Sequence, residues 1–555
     1  FRCRMPVWEN PTATATAPMM PKDGPAKPLR QPARPSGSKP TANISRTIPV
    51  AAAADISIPI NAAGRCELAG SGLHSLLHPD GAAPIGLRDG RREEALKSLV
   101  NLGHRGDAVR FGSMLVLLGA CFLGGGASRL DVLSLVYVQP LAVICLAVFL
   151  FTADEIRWSP EGPPPPLVAP LAWIMVVQLL PLPPALWTSL PGHGQFAVVA
   201  EVVGVEQPWR AISLTPDLTL ASLVSLSVPA AVLVGFASLT VEQTRRLLPF
   251  LIAGVALSAL LGLVQVSSGG RSSLYFYEIT NIGSPVGVFA NRNHQAALLA
   301  MGWPMLALWV GFASDPARAL VFGAMALALA ISPLPMIMAT GSRGGVLLGG
   351  LALTISVGLW WRHSRSAYPG RGGLVLAGVG LLCAFAVVVA TIVLARDEAV
   401  QRMTGIDPAE EVRLQFFPTL ARIALDFFPV GAGFGSFDPL FRTYEPFELL
   451  QPAYLNHAHN DLIELAIVGG LPALIVVALF ASWFLRRALP LVRGVRGRQS
   501  VGFAQLGAVM VLMLSLSSLV DYPLRTPLMA ALACIACGWL ADYRQGKGSP
   551  AGRPK

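Results

Sequence analysis

The segment HAHNDLIELAIVGGLPALIVVALF, residues 457–480, joins a polar cluster directly to a long apolar run. The apolar run starts at Leu462, continues to Leu485 and contains a single acidic residue, Glu464. About 20 such residues are enough to cross a bilayer as a helix. The segment therefore predicts a transmembrane helix whose first turn carries ionisable side chains at the edge of the membrane.

The same alternation of apolar runs and short polar breaks continues through residues 111–545 of the 555-residue chain. The chain is 53% hydrophobic and 13% charged, and its mean hydropathy is +0.57. Soluble domains carry about 25% charged residues, so many membrane spans explain this balance best. We predict an all-α, polytopic membrane protein with about twelve transmembrane helices. The predicted spans are 112–127, 131–151, 166–188, 217–239, 246–267, 293–313, 318–339, 344–361, 373–395, 462–485, 501–520 and 526–542.

Residues 1–110 have a different composition. They are rich in Pro, Ala, Thr and Ser, carry scattered Lys and Arg, and show no helical periodicity. Such a segment buries too little apolar surface to offset its ordering entropy. We therefore predict a disordered, basic N-terminal segment with no assigned function.

Basic residues set the predicted orientation. The net charge is +10, but the Lys and Arg residues lie between apolar runs, a pattern that suits anionic lipid rather than nucleic acid. If the N-terminus is cytoplasmic and the number of spans is even, most basic breaks fall on the cytoplasmic face, and residues 546–555 form a cytoplasmic tail. The acidic break after the second span is the exception. The basic residues that this orientation places inside are Arg245, Arg246, Arg362, Arg365, Arg371, Arg486, Arg487, Arg493, Arg496, Arg498, Lys547 and Arg553.

The opposite face has the longest connection, residues 396–461, and a shorter one, residues 267–292. Loops this long in a compact protein are usually functional. Three polar clusters also fall on this face, and ionisable groups at the membrane edge often mark function. They are Asn291-Arg292-Asn293-His294, Gly341-Ser342-Arg343-Gly344-Gly345 and Asn456-His457-Ala458-His459-Asn460-Asp461.

Arg292 and Arg343 are candidate ligands for a diphosphate, because a guanidinium presents a rigid fork of donors to phosphate oxygens. The alternative for both is an arginine that reaches the interface from a helix end. Asn291 and Asn293, which flank Arg292, are either part of the site or caps of the following helix.

His457 and His459 are candidate general bases for a sugar hydroxyl. In an extended stretch they would point to opposite sides, so one of them would reach a given pocket. Asp461 either caps the following helix or orients a histidine, and Glu464 is a candidate partner for an arginine. A metal site is disfavoured because no further His or Asp cluster completes one.

The long loop contains an apolar stretch with helical spacing between Glu410 and Phe428, with Arg413 and Arg422 within it and Pro418 as a kink or break. We interpret it either as a helix in the membrane interface over the site or as ordinary cover for the spans. The run GAGFGSF, residues 431–437, predicts a tight turn rather than a nucleotide-binding loop. With no Walker motif or divalent-metal run, the face predicts a cationic site without cofactor or metal, suited to an anionic substrate.

Four motifs in order resemble the O-antigen ligase/polymerase family: GVFANRNHQAALLAM, TGSRGG, PVGAGFGSF and HAHNDLIELAIVGGLPAL. The resemblance covers roughly Val286 to Pro472, within a predicted core at residues 286–475 that includes the loop 396–461. ISLTPDLT, residues 212–219, adds to it.

The resemblance implies a membrane glycosyltransferase of the C type in the bacterial inner membrane, working at the periplasmic face without metal. The donor would be a glycan on undecaprenyl diphosphate, and the acceptor lipid A–core, another glycan or a protein hydroxyl. His459 would be the catalytic base, since His459-Asn460 followed after nine residues by Gly470 fits the ligase pattern. Arg292 and Arg343 would bind the diphosphate. Supporting roles would fall to Asn291, Asn293, His294, Arg413, His457, Asn460 and Asp461.

Ala473 departs from the resemblance, because ligases carry Gly, Thr or Tyr at that position. A glycan polymerase and a protein O-oligosaccharyltransferase therefore remain open as alternatives. A transporter or flippase is less favoured, because no internal repeat is visible and the ionisable residues gather at one face rather than at mid-membrane.

Overall fold

The computed structural model describes residues 89–153, 155–157, 168–269, 273–312, 333–364, 408–450, 455–493 and 499–542. These residues are mostly helical, apart from two short strands, β1 (Pro181–Leu182) and β2 (Arg210–Ala211), which pair antiparallel. The first helices are α1 (Asp89–Gly124), α2 (Leu135–Thr152), α3 (Val168–Leu179), α4 (Pro184–Trp187), α5 (Val198–Val203), α6 (Pro216–Ser225), α7 (Ser227–Ser238) and α8 (Val241–Ser267). The later ones are α9 (Arg292–Gly311), α10 (Pro333–Ala339), α11 (Arg343–Ser364), α12 (Pro408–Asp426), α13 (Phe437–Tyr444), α14 (Asp461–Arg493), α15 (Gln499–Ser517) and α16 (Pro527–Ala541).

Several helices in the described residues have the length and apolarity of a membrane span. They agree with a polytopic membrane protein and lie close to spans predicted from the sequence. Residues 318–332 of the predicted span 318–339 and the whole predicted span 373–395 fall outside the described residues. The seven candidate spans are Gly106–Gly124, Leu135–Thr152, Pro216–Ser238, Val241–Ser267, Arg343–His363, Asp461–Val492 and Gln499–Ser517.

The predicted span 166–188 is wrong in extent. Its helix, α3, ends at Leu179 after 12 residues, which is about 18 Å at 1.5 Å per residue. Pro181, Pro183 and Pro184 follow at once, and proline in a helix interior removes a backbone donor and clashes with the preceding turn. The chain therefore leaves the helix, forms β1 and turns back on itself.

The predicted disorder of residues 1–110 also needs correction at its C-terminal end. The helix α1 begins at Asp89, so residues 89–110 are helical. The stretch that follows has no proline and is rich in strong helix formers. Residues 1–88 lie outside the described residues.

The buried helix α9 forms the centre of the bundle. Its residues from His294 to Leu306 are all buried. It runs parallel to α11, because Gly345 near the start of α11 abuts Ala296, and His363 at its end abuts Gly311. An added Cβ at Gly345 would lie 2.5 Å from the Cβ of Ala296. The close approach brings the first turns of both helices to the same end of the bundle.

Basic residues from distant parts of the chain meet at the other end. Arg245, in the first turn of α8, donates to Gln499 Oε1 at 3.0 Å. Arg362, in the last turn of α11, donates to the carbonyl of Val492 at 3.0 Å. These arginines therefore share one end of the bundle, as the positive-inside prediction requires of its cationic face.

Residues 408–450, which the sequence assigns to the long loop, fold into helices with a core of their own. The helix α12 continues through Pro418 and buries Phe416, Leu420 and Ile423, while Phe417 stays exposed. The prediction of a helix between Glu410 and Phe428 is confirmed, whereas the predicted break at Pro418 is not observed. This second core also contains Met175 of α3 and Ile467, Val468 and Ala473 of α14.

A glycine inside α14 allows this second core to pack closely against the helix. Gly470 interrupts α14 with φ 57° and ψ −152°, a conformation that L side chains rarely adopt. A Cβ at this position would lie 2.2 Å from the carbonyl oxygen of Pro429. The backbone N–H groups of Ala432 and Gly433 donate to the carbonyls of Ile467 and Val468, which the interruption leaves available. The motif glycine therefore allows two backbone segments to touch.

We expect G470A to destabilise the protein. The positive φ alone costs about 1–3 kcal/mol for a residue with a Cβ, and the contact with Pro429 adds to this. The measurement is the melting temperature of the full chain in detergent. G350A is the matched control, because Gly350 is exposed on α11 with no atom within 4 Å of an added Cβ. A G470A protein that melts as high as wild type, with G350A unchanged, would refute this explanation of the motif glycine.

Candidate functional site

The three polar clusters predicted from the sequence meet at one end of the bundle. Arg292 begins α9, Arg343 begins α11, and Asp461 begins α14. The connection between α15 and α16, residues 518–526, lies beside all three starts. For example, an added Cβ at Gly344 would lie 3.4 Å from Val520, and the N–H of Asp461 donates to the carbonyl of Ser518 at 2.9 Å.

Asp521, in that connection, is the centre of the first polar network. Its side chain is 1% exposed. Its Oδ2 accepts hydrogen bonds from Nδ2 of Asn291 at 3.0 Å and of Asn293 at 2.9 Å. Its Oδ1 lies 3.1 Å from Nδ1 of His459. His294 packs behind it, with Nε2 at 3.7 Å from Oδ2, beyond ordinary hydrogen-bond distance.

The pair His459–Asp521 determines which ring nitrogen of His459 donates a hydrogen bond and which can accept a proton. A carboxylate only accepts hydrogen bonds, so Nδ1 of His459 is the donor and the lone pair of the neutral ring lies on Nε2. The His459 side chain is 12% exposed. It is also the one non-glycine residue with positive φ, at 49°, in the described part of the chain. Backbone strain of this kind gathers at functional sites, because the surroundings must hold it in place.

A second network surrounds His457. Its Nδ1 lies 3.0 Å from Oε1 of Glu464, whose Oε2 accepts the N–H of Ala458 at 2.8 Å. Arg525 pairs with Glu464 at 3.1 Å and with Asp461 at 3.2 Å. Burial disfavours the Arg525 cation, but the charges of Glu464 and then Asp461 outweigh it and raise the pKa of Arg525 above its usual value. The predicted pairing of Glu464 with an arginine is therefore observed.

Asp461 has neither of the roles that the sequence left open. It pairs with Arg525 rather than with a histidine. The helix cap is Asn460, whose Oδ1 accepts the N–H groups of Leu462 and Ile463 at 3.0 and 3.1 Å. An Asn at this position bonds forward into the first turn, as N-cap residues do. Asn291 caps α9 in the same way, by accepting the N–H of Asn293 at 2.9 Å.

Tyr522 connects the two histidine networks. Its ring centroid lies 4.4 Å from that of His457, 4.9 Å from that of His459 and 5.3 Å from that of His294. His457 and His459 enter separate networks, at Glu464 and at Asp521, and both rings pack against the same buried tyrosine.

Of the three predicted arginines, Arg292 and Arg343 lie at corresponding helix starts, and Arg413 lies in a different helix. Arg292 and Arg343 are half-buried in the first turns of the parallel helices α9 and α11. The backbone N–H of Arg292 donates to Oδ1 of Asn281 at 3.0 Å. Arg413 lies in the first part of α12, residues 408–414, whose side chains the structure does not describe.

Comparison with known families adds an independent finding. Residues 325–478 match the family model described as O-antigen ligase. This stretch of the chain is therefore similar to O-antigen ligases. We call residues 325–478 the ligase segment; the match confirms the resemblance drawn from the sequence motifs. A comparison with curated proteins found no match.

The ligase segment accounts for part of the site. It contains Arg343, His457, His459 and Glu464, whereas Arg292 and Asp521 lie outside it. The O-antigen ligase description belongs to the matched family model, and the match covers residues 325–478 of the chain. The two networks therefore join side chains of the ligase segment to side chains from the connection that follows α15.

Sequence reasoning missed Asp521, Tyr522 and Arg525. All three belong to the short connection DYPLR between two predicted spans, on the same predicted face as the three clusters. The available signal was a carboxylate and a guanidinium at the membrane edge, a position where ionisable residues are costly and often functional.

We expect R525M to destabilise the protein, because it leaves Asp461 and Glu464 buried without their counter-charge. Removing one partner of a buried ion pair costs about 3 kcal/mol or more. The measurement is the melting temperature, and R525M/E464Q should recover part of the loss. R442M is the control, since Arg442 pairs with Asp438 at the surface, where such a pair contributes about 1 kcal/mol or less. Equal melting temperatures of R525M and R442M would contradict the assignment of Arg525 as the buried counter-charge of Asp461 and Glu464.

Proposed function

We propose that this protein transfers a glycan from undecaprenyl diphosphate to an acceptor hydroxyl, with lipid A–core as the acceptor. The observation that carries the proposal is the His459–Asp521 pair, which belongs in part to the ligase segment and lies at the bundle end where α9 and α11 begin. A histidine held by a carboxylate is suited to general-base catalysis. The arginines at the two helix starts are suited to binding an anionic leaving group.

In the proposed reaction, Nε2 of His459 takes the proton of the acceptor hydroxyl as its oxygen bonds to the anomeric carbon of the donor. The bond from that carbon to the diphosphate oxygen breaks, and its electron pair stays on undecaprenyl diphosphate. Arg292 and Arg343 stabilise the charge that develops there. Attack from the side opposite the leaving group inverts the anomeric centre, and no step uses a metal ion.

We further propose that the site faces the periplasm and that the protein lies in the bacterial inner membrane, with both termini cytoplasmic. The position of Arg245 and Arg362 at the opposite end of the bundle supports this orientation. The C-type glycosyltransferase architecture, the core at residues 286–475 and about twelve spans in all belong to the same proposal.

A glycan polymerase is the second candidate, and Ala473 favours it. Ala473 is fully buried in the second core. A Thr or Tyr side chain, which ligases accept at this position, would have to displace its buried neighbours. A polymerase would use the same donor with a growing glycan as acceptor.

Expression of the wild-type chain in a strain that lacks its own ligase tests the acceptor. We expect a ladder of glycan attached to lipid A–core on a gel of the cell envelope, provided that the strain makes the donor. H459A at the same membrane level is the control. Absence of a ladder from wild type, together with longer chains on undecaprenyl diphosphate, would favour the polymerase.

A further inference from the structure

A cavity of about 490 Å³ opens beside His457. Its volume lies within the range of small-ligand sites. Apolar side chains from α3, α6 and the turn before α13 form its walls, among them Leu171, Leu218 and Phe434. His457 and Arg525 are among its polar lining residues, and Tyr522 links it to the proposed base by contacting both His457 and His459.

The cations of this cavity are already matched by carboxylates. At the rim, Arg129 holds Asp131 through two hydrogen bonds of 2.9 and 2.6 Å. Asp438, also at the rim, is held by Arg442 through bonds of 2.7 and 3.1 Å. Inside, Arg525 faces both Asp461 and Glu464, so carboxylates exceed guanidiniums by one within this described set.

This charge balance argues against a diphosphate as the occupant. A phosphate group would meet surplus negative charge and would have to displace existing ion pairs. An uncharged sugar ring fits better, because its hydroxyls match imidazole, carboxylate and guanidinium groups, while its C–H face matches the apolar walls.

We propose that the cavity binds an uncharged sugar ring of the acceptor, with His457 and Arg525 as hydrogen-bond partners. This inference rests on the proposed function. The acceptor contributes only a hydroxyl to the reaction and needs no cation, whereas the reacting sugar of the donor is bonded to a diphosphate. In this arrangement the acceptor ring binds at His457 and its hydroxyl is deprotonated at His459. Tyr522 contacts both histidines.

Thiol labelling of S222C tests this site. Ser222 lines the cavity from α6, and its Oγ bonds only locally, to the carbonyl of Leu218 at 2.8 Å. The full chain carrying S222C is placed in phospholipid nanodiscs and labelled with N-ethylmaleimide, and labelling is followed by mass spectrometry. The probes are purified lipid A–core and undecaprenyl diphosphate. D217C is the matched control, since Asp217 is exposed at the start of α6 and does not line the cavity.

We expect lipid A–core to slow labelling of S222C about tenfold at about ten times its dissociation constant, while D217C labels at an unchanged rate. Undecaprenyl diphosphate should protect neither variant. Protection of S222C by undecaprenyl diphosphate would assign the cavity to the donor and overturn the inference.

Two further outcomes separate this inference from the proposed function. If lipid A–core receives glycan from the wild-type chain but does not protect S222C, the acceptor ring binds elsewhere and the inference is wrong, while the proposed function stands. If lipid A–core protects S222C but receives no glycan, the cavity binds this saccharide and the proposed function is wrong.

Discussion

Replacing His459 by alanine is expected to lower the rate of glycan transfer about 10²–10⁴-fold, the usual contribution of a general base. The loss should appear in kcat, because the histidine acts on the acceptor hydroxyl only as the new bond forms. The same change at His457 should mainly raise the KM for the acceptor, since that ring lines the cavity rather than the reaction centre.

H457A is a matched control for H459A, because the two histidines have similar surroundings. Each places Nδ1 about 3 Å from a buried carboxylate, and each contacts Tyr522. Initial rates with varied acceptor, at matched protein levels in the membrane, separate kcat from KM. If H457A loses kcat and H459A retains it, the base is His457, and the roles proposed here are reversed.

Replacing Asp521 by asparagine is expected to reduce kcat by a comparable factor, about 10²–10⁴-fold. The amide has the size of the carboxylate but lacks its charge. Its single oxygen would accept the hydrogen bonds of Asn291 and Asn293, which both donate to one oxygen of Asp521, and its NH₂ group would then face Nδ1 of His459. His459 would then lose the acceptor that holds its ring with the lone pair on Nε2. The measurement is the single-turnover rate at saturating donor and acceptor.

A double substitution separates this positioning role from general damage. If Asp521 acts through His459, D521N/H459A should be about as slow as H459A alone, because residues that act as a unit are not additive. The melting temperature of D521N is the accompanying control. A further large loss in the double variant, with unchanged melting, would show that Asp521 acts independently of His459.

The sequence predicted the helical membrane class and the three clusters at one end, because both follow from local patterns. Apolar runs of bilayer length identify spans such as α14, and polar residues at their starts identify a shared face. Family motifs then singled out His459, Arg292 and Arg343. Pro181, Pro183 and Pro184 argue against a full span over residues 166–188, and α3 ends before them.

The partners of the histidines were not predictable in the same way. Asp521 lies 62 positions from His459, and its place at the membrane edge marks it as a candidate without identifying the histidine as its partner. The choice between Asp461 and Asp521 depends on how the connection after α15 packs against the start of α14. The positive φ of His459 is likewise a tertiary effect, since no glycine marks it in the sequence.

The most direct test of the proposed activity is transfer by the purified chain in phospholipid vesicles. The reaction contains undecaprenyl-diphosphate-linked glycan, lipid A–core and a metal chelator, and both products are quantified by mass spectrometry. The account predicts glycosylated lipid A–core and free undecaprenyl diphosphate in equal amounts with wild type, and neither above background with H459A. Movement of the lipid-linked glycan across the vesicle membrane without either product, equal in wild type and H459A, would contradict it.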